Sequence, residues 1–294
     1  MDTKSFVKPI FGFDLTEGKN STKTNCDIFT AKKLSENASQ NLEEKSESLE
    51  ESVEKSGLPI PLTIIKYLGL WLGLLVVGSM FGVDGGPAQA FRNAPVLMVS
   101  GIIGLVLGLT LMAVSKVKEK KVLKEENAYE KLDELTAMAN SAYAELGVPS
   151  TAYDVDILVF NYTVKDGKMK MHTPVMAASP FVNPHLKLYL EDFSLCLTDI
   201  GAVYKFPAES LRSIKRIKKT AILSSWNKDE PFNKGYYKQF KLGASNYGVH
   251  CKPYYLLKIE KDGEIYGVYF PSYELPVFEQ LTRLTAIDPK GDEE

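Results

Sequence analysis

The chain has 294 residues, 45% of them hydrophobic, and a formal net charge of -2 at pH 7. This charge argues against a nucleic-acid-binding protein, because affinity for phosphate backbones normally depends on an excess of lysine and arginine. The three cysteines, Cys26, Cys196 and Cys251, form no Cys-x-x-Cys pair and no plausible disulfide framework, which favours a reducing compartment.

Residues 1–57 are rich in Ser, Glu, Lys and Asn, and they lack the early apolar run of a secretory signal. We predict a disordered cytoplasmic tail here, because so polar a segment buries too little apolar surface to offset the entropy lost on ordering. An apolar cluster near its start has two interpretations, a short docking motif or a chance grouping. Its members are Phe6, Ile10, Phe11, Phe13 and Leu15.

Two long apolar runs follow, at about residues 62–83 and 94–115. A hydrocarbon core of ~30 Å requires about 20 helical residues, and each run has that length. The ten residues between them, Asp84–Asn93, are enough for a tight turn only. The sequence therefore predicts a transmembrane helical hairpin within residues 58–115.

The orientation of this hairpin follows from the cations near the ends of the spans. Five lysines come directly after the second run, whereas the intervening loop carries one Arg and one Asp. Lysine and arginine near span ends favour the cytoplasmic side. We therefore expect a multi-pass protein of the cell membrane with both termini in the cytoplasm. The lysines are Lys116, Lys118, Lys120, Lys121 and Lys124.

Small residues recur at four-residue spacing in both runs and predict helix packing, because they let helix backbones approach closely within a bilayer. Two interpretations are open: the two helices pack on each other, or the chain forms a homo-oligomer. Neither run carries an intramembrane carboxylate or histidine, so an anchor is favoured over a channel. The predicted packing residues are Gly69, Gly73, Gly78, Gly82, Ser100, Gly104 and Gly108.

Residues 116–147 contain no proline, and their first glycine is Gly147, so we predict one long cytoplasmic helix that ends at Gly147-Val148-Pro149. An apolar stripe along it indicates a face that docks on the following domain or pairs with another copy. The stripe consists of Ala128, Leu132, Leu135, Ala139, Ala142 and Leu146.

From about residue 150 to 287 the pattern changes to short runs rich in β-forming residues, separated by turns such as Lys165–Lys168. The last element is an amphipathic helix with Val277, Phe278, Leu281 and Leu284 on one face. We predict a small antiparallel β-barrel, closed or nearly closed and capped by this helix, followed by an acidic tail at residues 288–294. The predicted fold class of the whole chain is α+β.

This order of elements, together with the run Phe193–Ile214, is similar to the pleckstrin-homology-like superfold. In that run a strand, a short turn, a second strand and a Pro207-led link to a third strand follow in order. The whole chain also resembles uncharacterised two-span membrane proteins of low-GC Gram-positive bacteria. The resemblance implies a bacterial membrane protein with a cytoplasmic pleckstrin-homology-like domain, and it implies no activity.

A basic cluster in this domain is the main candidate binding surface. Its cations could attract anionic lipid headgroups or an acidic partner, or they could be the charges that guard a solvated edge strand. Trp226 lies in an aromatic-rich loop, residues 225–237, that is either a recognition surface or folded back on the domain. The candidate contact residues are Lys205, Arg212, Lys215, Arg216, Lys218, Lys219 and Trp226.

For catalysis the sequence offers no assembled set. His172, His185 and His250 are scattered, and no Gly-rich phosphate loop is present. We therefore expect no enzyme, cofactor or metal, and a membrane-anchored cytoplasmic binding or scaffold module with an unidentified protein partner. Two alternatives are an accessory subunit that packs through its glycine-rich spans and an enzyme with its site in the barrel mouth.

Overall fold

The structure is a computed structural model. It describes residues 6–16, 25–82, 86–166, 168–176, 186–219, 221–223, 243–245 and 248–288. Trp226 and the rest of the aromatic loop, and the acidic tail after Asp288, lie outside the described residues.

The chain is a mixed α+β structure, as the sequence predicted, with most of its helices and most of its strands in separate stretches of the sequence. The helices are α1 Glu36–Ser56, α2 Ile60–Gly82, α3 Gly86–Asn93, α4 Pro95–Glu125, α5 Ala128–Leu146 and α6 Leu275–Thr282. The strands before α6 are β1 Lys8–Pro9, β2 Gly12–Asp14, β3 Thr30–Lys33, β4 Tyr153–Val155, β5 Leu158–Lys165, β6 Lys168–Met176, β7 Leu186–Glu191, β8 Ser194–Thr198, β9 Ala202–Pro207, β10 Leu211–Ile217, β11 Ala221–Leu223, β12 Gly243–Ser245, β13 Gly248–Cys251, β14 Tyr254–Lys261 and β15 Glu264–Pro271. Strand β16, Ala286–Ile287, follows α6.

The chain divides into two compact units. The sheet unit consists of residues 1–46 and 132–294, and the helical unit consists of residues 47–131. The sheet unit is therefore discontinuous in sequence, and the helical unit lies between its two parts along the chain.

Two larger sheets form the sheet unit. One has the order β16-β10-β14-β15-β5-β2, with β1 on β15 and β6 on β5, and the other has the order β3-β9-β8-β7-β4. Most neighbouring strands are antiparallel, whereas β1, β2 and β16 pair in parallel. A small third sheet has the order β11-β13-β12.

The predicted barrel is wrong, because these sheets are separate and not closed. At two of the places where the chain passes from one large sheet to the other, the passage is a short corner at which strand pairing is interrupted. Asp156 and Ile157 separate β4 from β5, and the 3-10 turn Ala208–Ser210 separates β9 from β10. Each corner starts a strand that pairs with a different set of neighbours, so no continuous ladder closes.

The main hydrophobic core takes side chains from both larger sheets and from α6. Phe206 of β9 and Phe270 of β15 are fully buried, and Phe278 of α6 is 1% exposed. The rings of Phe270 and Phe278 are stacked with their centroids 3.8 Å apart. The other predicted apolar residues of this helix region, Val277, Leu281 and Leu284, pack against the same core.

We predicted a disordered tail at residues 1–57. In the structure the described residues 6–16 and 25–56 instead form β1 to β3, a 3-10 turn and α1. Ile10, Phe11 and Phe29 are buried in the main core. The apolar residues of this polar segment are few, but they are positioned by strand pairing with the C-terminal part of the chain. Burial of these side chains offsets the ordering entropy on which the prediction rested.

In the helical unit, α2 and α4 are the two helices long and apolar enough to cross a membrane among the described residues. Between them the structure has α3, an eight-residue helix, where the sequence suggested a tight turn only. Ala90 of α3 packs with Val76 and Met98 in a small apolar cluster. This burial explains why the connection is helical.

The predicted continuous helix over residues 116–147 is interrupted. Helix α4 ends at Glu125 and α5 begins at Ala128, with Asn127 at a φ of 52° between them. Asparagine adopts this left-handed conformation more readily than most residues, so a helix can end there without glycine or proline.

Candidate functional site

Strand β10 carries most of the predicted basic cluster. Arg212 donates from Nε to Glu260 Oε2 at 2.7 Å and from a terminal guanidinium nitrogen to the backbone oxygen of Glu209. Glu260 lies on the neighbouring strand β14, about 50 residues further along the sequence. The Arg212 charge is therefore paired across the sheet.

The distal end of β10 is paired with a residue near the C-terminus. Arg216 donates to Asp288 Oδ2 at 3.0 Å, and the Lys218 ammonium lies 4.0 Å from Asp288 Oδ1. Strand β16 lies parallel to β10, with Ala286 opposite Ile214, and so it brings Asp288 to this end of the strand. Exposed pairs of this kind contribute roughly 0–1 kcal/mol each, so a stronger anionic partner could displace them.

Lys215 and Lys219 occupy different positions. Lys215 is half-buried on β10 opposite Leu256 of β14, and Lys219 is exposed just after the strand ends. Ile214, the residue that precedes Lys215, is fully buried in the main core. The strand therefore places Lys215 on the face opposite to Ile214.

Lys205 lies on β9, in the other large sheet. Its ammonium is 3.3 Å from both Glu191 Oε2 and Asp192 Oδ2, at the turn between β7 and β8. Desolvation opposes the charge on Lys205, but the hydrogen bonds to Glu191 and Asp192 outweigh it and raise the pKa of the ammonium. Among the described contacts, Lys205 and the cations of β10 have no acidic partner in common. The ion pairs of the predicted basic residues therefore lie on two sheets rather than in one cluster.

The predicted packing glycines lie largely between α2 and α4. A Cβ at Gly69 would meet the backbone oxygen of Gly104 at 2.5 Å, and a Cβ at Gly73 would meet Leu105 Cβ at 2.4 Å. Gly108 is likewise close to Leu70 and to the Lys66 backbone oxygen. The paired positions run in opposite directions along the two helices.

Two other predicted positions lie away from this contact: a Cβ at Gly78 would have no heavy atom within 4 Å, and Ser100 is exposed. Gly82 is the last residue of α2. One contact glycine was missed: Gly101, whose added Cβ would lie 2.1 Å from Val76 Cγ2. Its spacing from Gly104 and Gly108, three and seven residues, was the available signal.

A second candidate site, which the sequence did not predict, lies between strands β5 and β15. Strands β5 and β15 pair directly at a single position, Leu158 with Tyr269. We call the space where they separate the seam, and residues 6–16 the N-terminal segment. The segment follows β15 through Lys8 and Pro9 and then follows β5 through residues 12–14.

The bend of the N-terminal segment places two apolar side chains in the core. Ile10 is fully buried and Phe11 is 7% exposed, with the Phe11 ring edge-on to Tyr204 at 5.1 Å between centroids. Gly12 follows, and a Cβ there would lie 2.7 Å from the backbone oxygen of Phe160. The apolar cluster near the start of the sequence was the signal for this site, and two of its members, Ile10 and Phe11, lie in the chain's own main core.

Two buried thiols have surroundings that suppress their reactivity. Burial raises the pKa of Cys196 to about 11, with a further contribution from Glu191. Burial also raises the pKa of Cys251 to about 12, with a contribution from Asp156. A thiol with so high a pKa is a poor nucleophile near neutral pH.

A cavity of about 220 Å³ lies within the sheet unit beside α1, α5 and the turn before β9. Its lining is mostly apolar, with a few polar side chains at the helix α1 side. The lining residues are Leu34, Ser39, Leu42, Glu43, Ser46, Leu135, Ile200 and Gly201. Among the described residues, no group of three His, Cys, Asp or Glu side chains is arranged to hold a metal ion.

No protein-family model, curated protein or solved structure matches the chain.

Proposed function

We propose that this chain is a membrane-tethered cytoplasmic binding module, in which α2 and α4 form a transmembrane hairpin and the sheet unit engages a protein partner. One observation carries this proposal: the two long apolar helices interrupt a single folding unit. Ile10 and Phe29, before the helices, share a core with Phe206 and Phe270, after them.

A core cannot be shared across a bilayer, because strand pairing and side-chain packing require direct contact. Both flanks of the helical unit must therefore be on the same side of the membrane, which requires an even number of crossings. Two apolar helices, each at least 21 residues long, satisfy this requirement. The lysines after residue 115 favour the cytoplasm for that side.

The strand order supports a pleckstrin-homology-like domain. Strands β4, β7, β8 and β9 follow one another in one sheet, β10, β14 and β15 follow in the other, and α6 packs on the core. Strand β5 continues directly from β4 and takes its place in the second sheet. The features on which the resemblance was based are β8, β9, the Pro207-led link to β10, and the closing helix α6.

Two further observations bear on the alternatives. The cations Arg212 and Arg216 are already paired with carboxylates, which compete with any anionic ligand, whether a lipid headgroup or an acidic protein. The alternative of an accessory subunit loses most of its proposed contact surface, because Gly69, Gly73 and Gly108 lie in the contact between α2 and α4.

Cysteine labelling in intact cells tests the topology. Three variants are made from a chain whose native cysteines are replaced by alanine. Each variant carries one introduced cysteine, Ala88→Cys, Glu47→Cys or Glu130→Cys. We expect a membrane-impermeant maleimide to modify Ala88→Cys in intact cells, and the other two only after lysis. Labelling of Glu47→Cys and Glu130→Cys from opposite sides of the membrane would refute the proposal.

Charge reversal tests binding by β10. Full-length protein and the Arg212→Glu/Arg216→Glu variant are purified in mild detergent, and co-purifying proteins are compared by quantitative mass spectrometry. The matched control is Lys168→Glu/Lys170→Glu, which reverses two exposed cations on β6. A partner lost from the β10 variant alone supports binding there, whereas equal recovery from all three proteins would leave Arg212 and Arg216 only their ion pairs with Glu260 and Asp288.

A further inference from the structure

The walls of the seam are held in place independently of the N-terminal segment. Strand β15 pairs with β14 along its whole length, and β5 pairs with β6 on its other side. The single direct pair between the walls, Leu158 with Tyr269, closes one end of the seam. The seam is therefore a cleft between two supported strands rather than a product of the segment that fills it.

The N-terminal segment uses the contacts by which strands recognise peptides. Ile10 N donates to the Gly267 backbone oxygen at 2.9 Å, and Leu15 N donates to the Tyr162 backbone oxygen at 2.8 Å. Such main-chain bonds supply affinity in strand addition, while side chains in pockets supply specificity. Ile10 supplies the fully buried anchor.

Glycines on both sides make this close approach possible. A Cβ at Gly12 would lie 2.7 Å from the Phe160 backbone oxygen, and a Cβ at Gly267 of β15 would lie 2.8 Å from Val7 Cγ1. These positions are on different strands, so the fit depends on both the segment and the seam. A segment with a side chain at the Gly12 position would have to shift away from β5.

Polar contacts fix the two ends of the segment. The Lys8 ammonium lies 2.6 Å from Glu264 Oε1 at one end. At the other end, Val164 N donates to Thr16 Oγ1 at 2.8 Å. The seam thus recognises both the direction and the length of the segment.

We propose that the seam is a peptide-binding site whose resident ligand is the chain's own N-terminal segment, and that it accepts from another polypeptide a strand with the same pattern, Pro-Ile-Phe-Gly-x-Asp. The segment precedes β5 by more than 140 residues in sequence, and its backbone pairing is with β15 and β5 rather than with its neighbours in sequence. The seam would be the binding surface of the proposed binding module. Peptide binding itself does not depend on that proposed function, but its biological role does.

The test uses the full-length protein in mild detergent with a specific protease site inserted between Thr16 and Asn25. After cleavage, we expect the N-terminal fragment to co-elute with the remainder on size exclusion. Excess synthetic peptide of residues 6–16 should then release the fragment, and a fluorescent copy should bind saturably by anisotropy. The remainder should keep its far-UV circular dichroism throughout.

Two peptide variants provide the controls. A Gly12→Val peptide should bind at least roughly tenfold more weakly, because its side chain meets the Phe160 carbonyl. A Lys8→Gln peptide should bind within about threefold of the original, because it loses an exposed ion pair and a long contact, 5.9 Å, between the ammonium and the Tyr266 ring.

Three results would overturn the inference. Loss of circular dichroism on cleavage would make the segment an inseparable part of the fold, and a folded remainder that binds no labelled peptide would exclude a peptide site. If the Gly12→Val peptide bound as tightly as the original peptide, binding would be non-specific hydrophobic association rather than recognition of the segment. Because this experiment requires no membrane, its failure leaves the labelling test of topology unaffected.

Discussion

The burial of Ile10 makes the contribution of the N-terminal segment measurable. Ile10 is 0% exposed, whereas Ile287, in the edge strand β16, is 58% exposed. The substitutions Ile10→Ala and Ile287→Ala remove the same atoms from the same sheet unit. Their difference therefore measures burial and little else.

The expected cost follows from the carbons that are removed. Isoleucine exceeds alanine by three carbons, and each buried methylene contributes about 0.8 kcal/mol, so the transfer part for Ile10 is about 2.4 kcal/mol. The cavity left behind brings the loss to about 3 kcal/mol. Because Ile287 retains more than half of its exposure to water, its substitution should cost about 1 kcal/mol or less.

The assay is thermal unfolding of the full-length protein in mild detergent, followed by near-UV circular dichroism from the tyrosine-rich sheet unit. For a domain of about this size, 1 kcal/mol lowers Tm by roughly 2–4 °C. We expect Ile10→Ala to lower Tm by about 6–12 °C, and Ile287→Ala by about a third of that. Equal, small shifts would show that residues 6–16 do not belong to the core, and a disordered tail would again describe them.

Three further predictions concern the helix contact, a buried thiol and an ion pair. Gly69→Ala places a Cβ 2.5 Å from a backbone oxygen of α4, so it should lower resistance to unfolding in an SDS titration by about 1–3 kcal/mol, whereas Gly78→Ala, with no heavy atom within 4 Å, should not. Because burial raises the pKa of Cys196 to about 11, mass spectrometry should find it modified by iodoacetamide at pH 8 only after denaturation; rapid modification of the folded protein would contradict its burial. The hydrogen bond from Lys8 lowers the pKa of Glu264 below 4.5. The stabilisation by this ion pair is therefore present above pH 4.5 and is lost as the pH falls through the lowered pKa. Lys8→Gln should remove this part of the acid dependence of Tm, and an unchanged profile would contradict the pairing.

Local patterns in the sequence were sufficient for much of the fold. The two apolar runs predicted α2 and α4 by length and composition alone, and the short runs rich in β-forming residues predicted strands such as β8 and β9. These features depend on residues that are neighbours in sequence. Long-range pairing was not accessible in the same way: nothing near Lys8 indicates that its partner is Glu264.

Helix ends show a similar limit. Proline and glycine are strong signals for a helix end, and their absence after residue 115 suggested one continuous helix. Asn127 ends the helix with a backbone conformation that asparagine tolerates at modest cost, so the sequence carries a weaker signal there. The predicted apolar stripe from Ala128 to Leu146 lies wholly within α5, after the interruption.

The basic cluster shows why a local excess of charge does not define a binding surface. Arg212 and Arg216 lie in one short run that contains few acids, yet each has a carboxylate partner from 48 or more residues away in sequence, Glu260 and Asp288. A run of sequence reports the charges of one strand, whereas the potential at a surface depends on every strand beside it. The N-terminal segment is the opposite case. Its few apolar residues are scattered in a polar stretch of sequence, and they form a specific contact only where β5 and β15 surround them. In this protein the weaker sequence signal therefore marks the more specific surface.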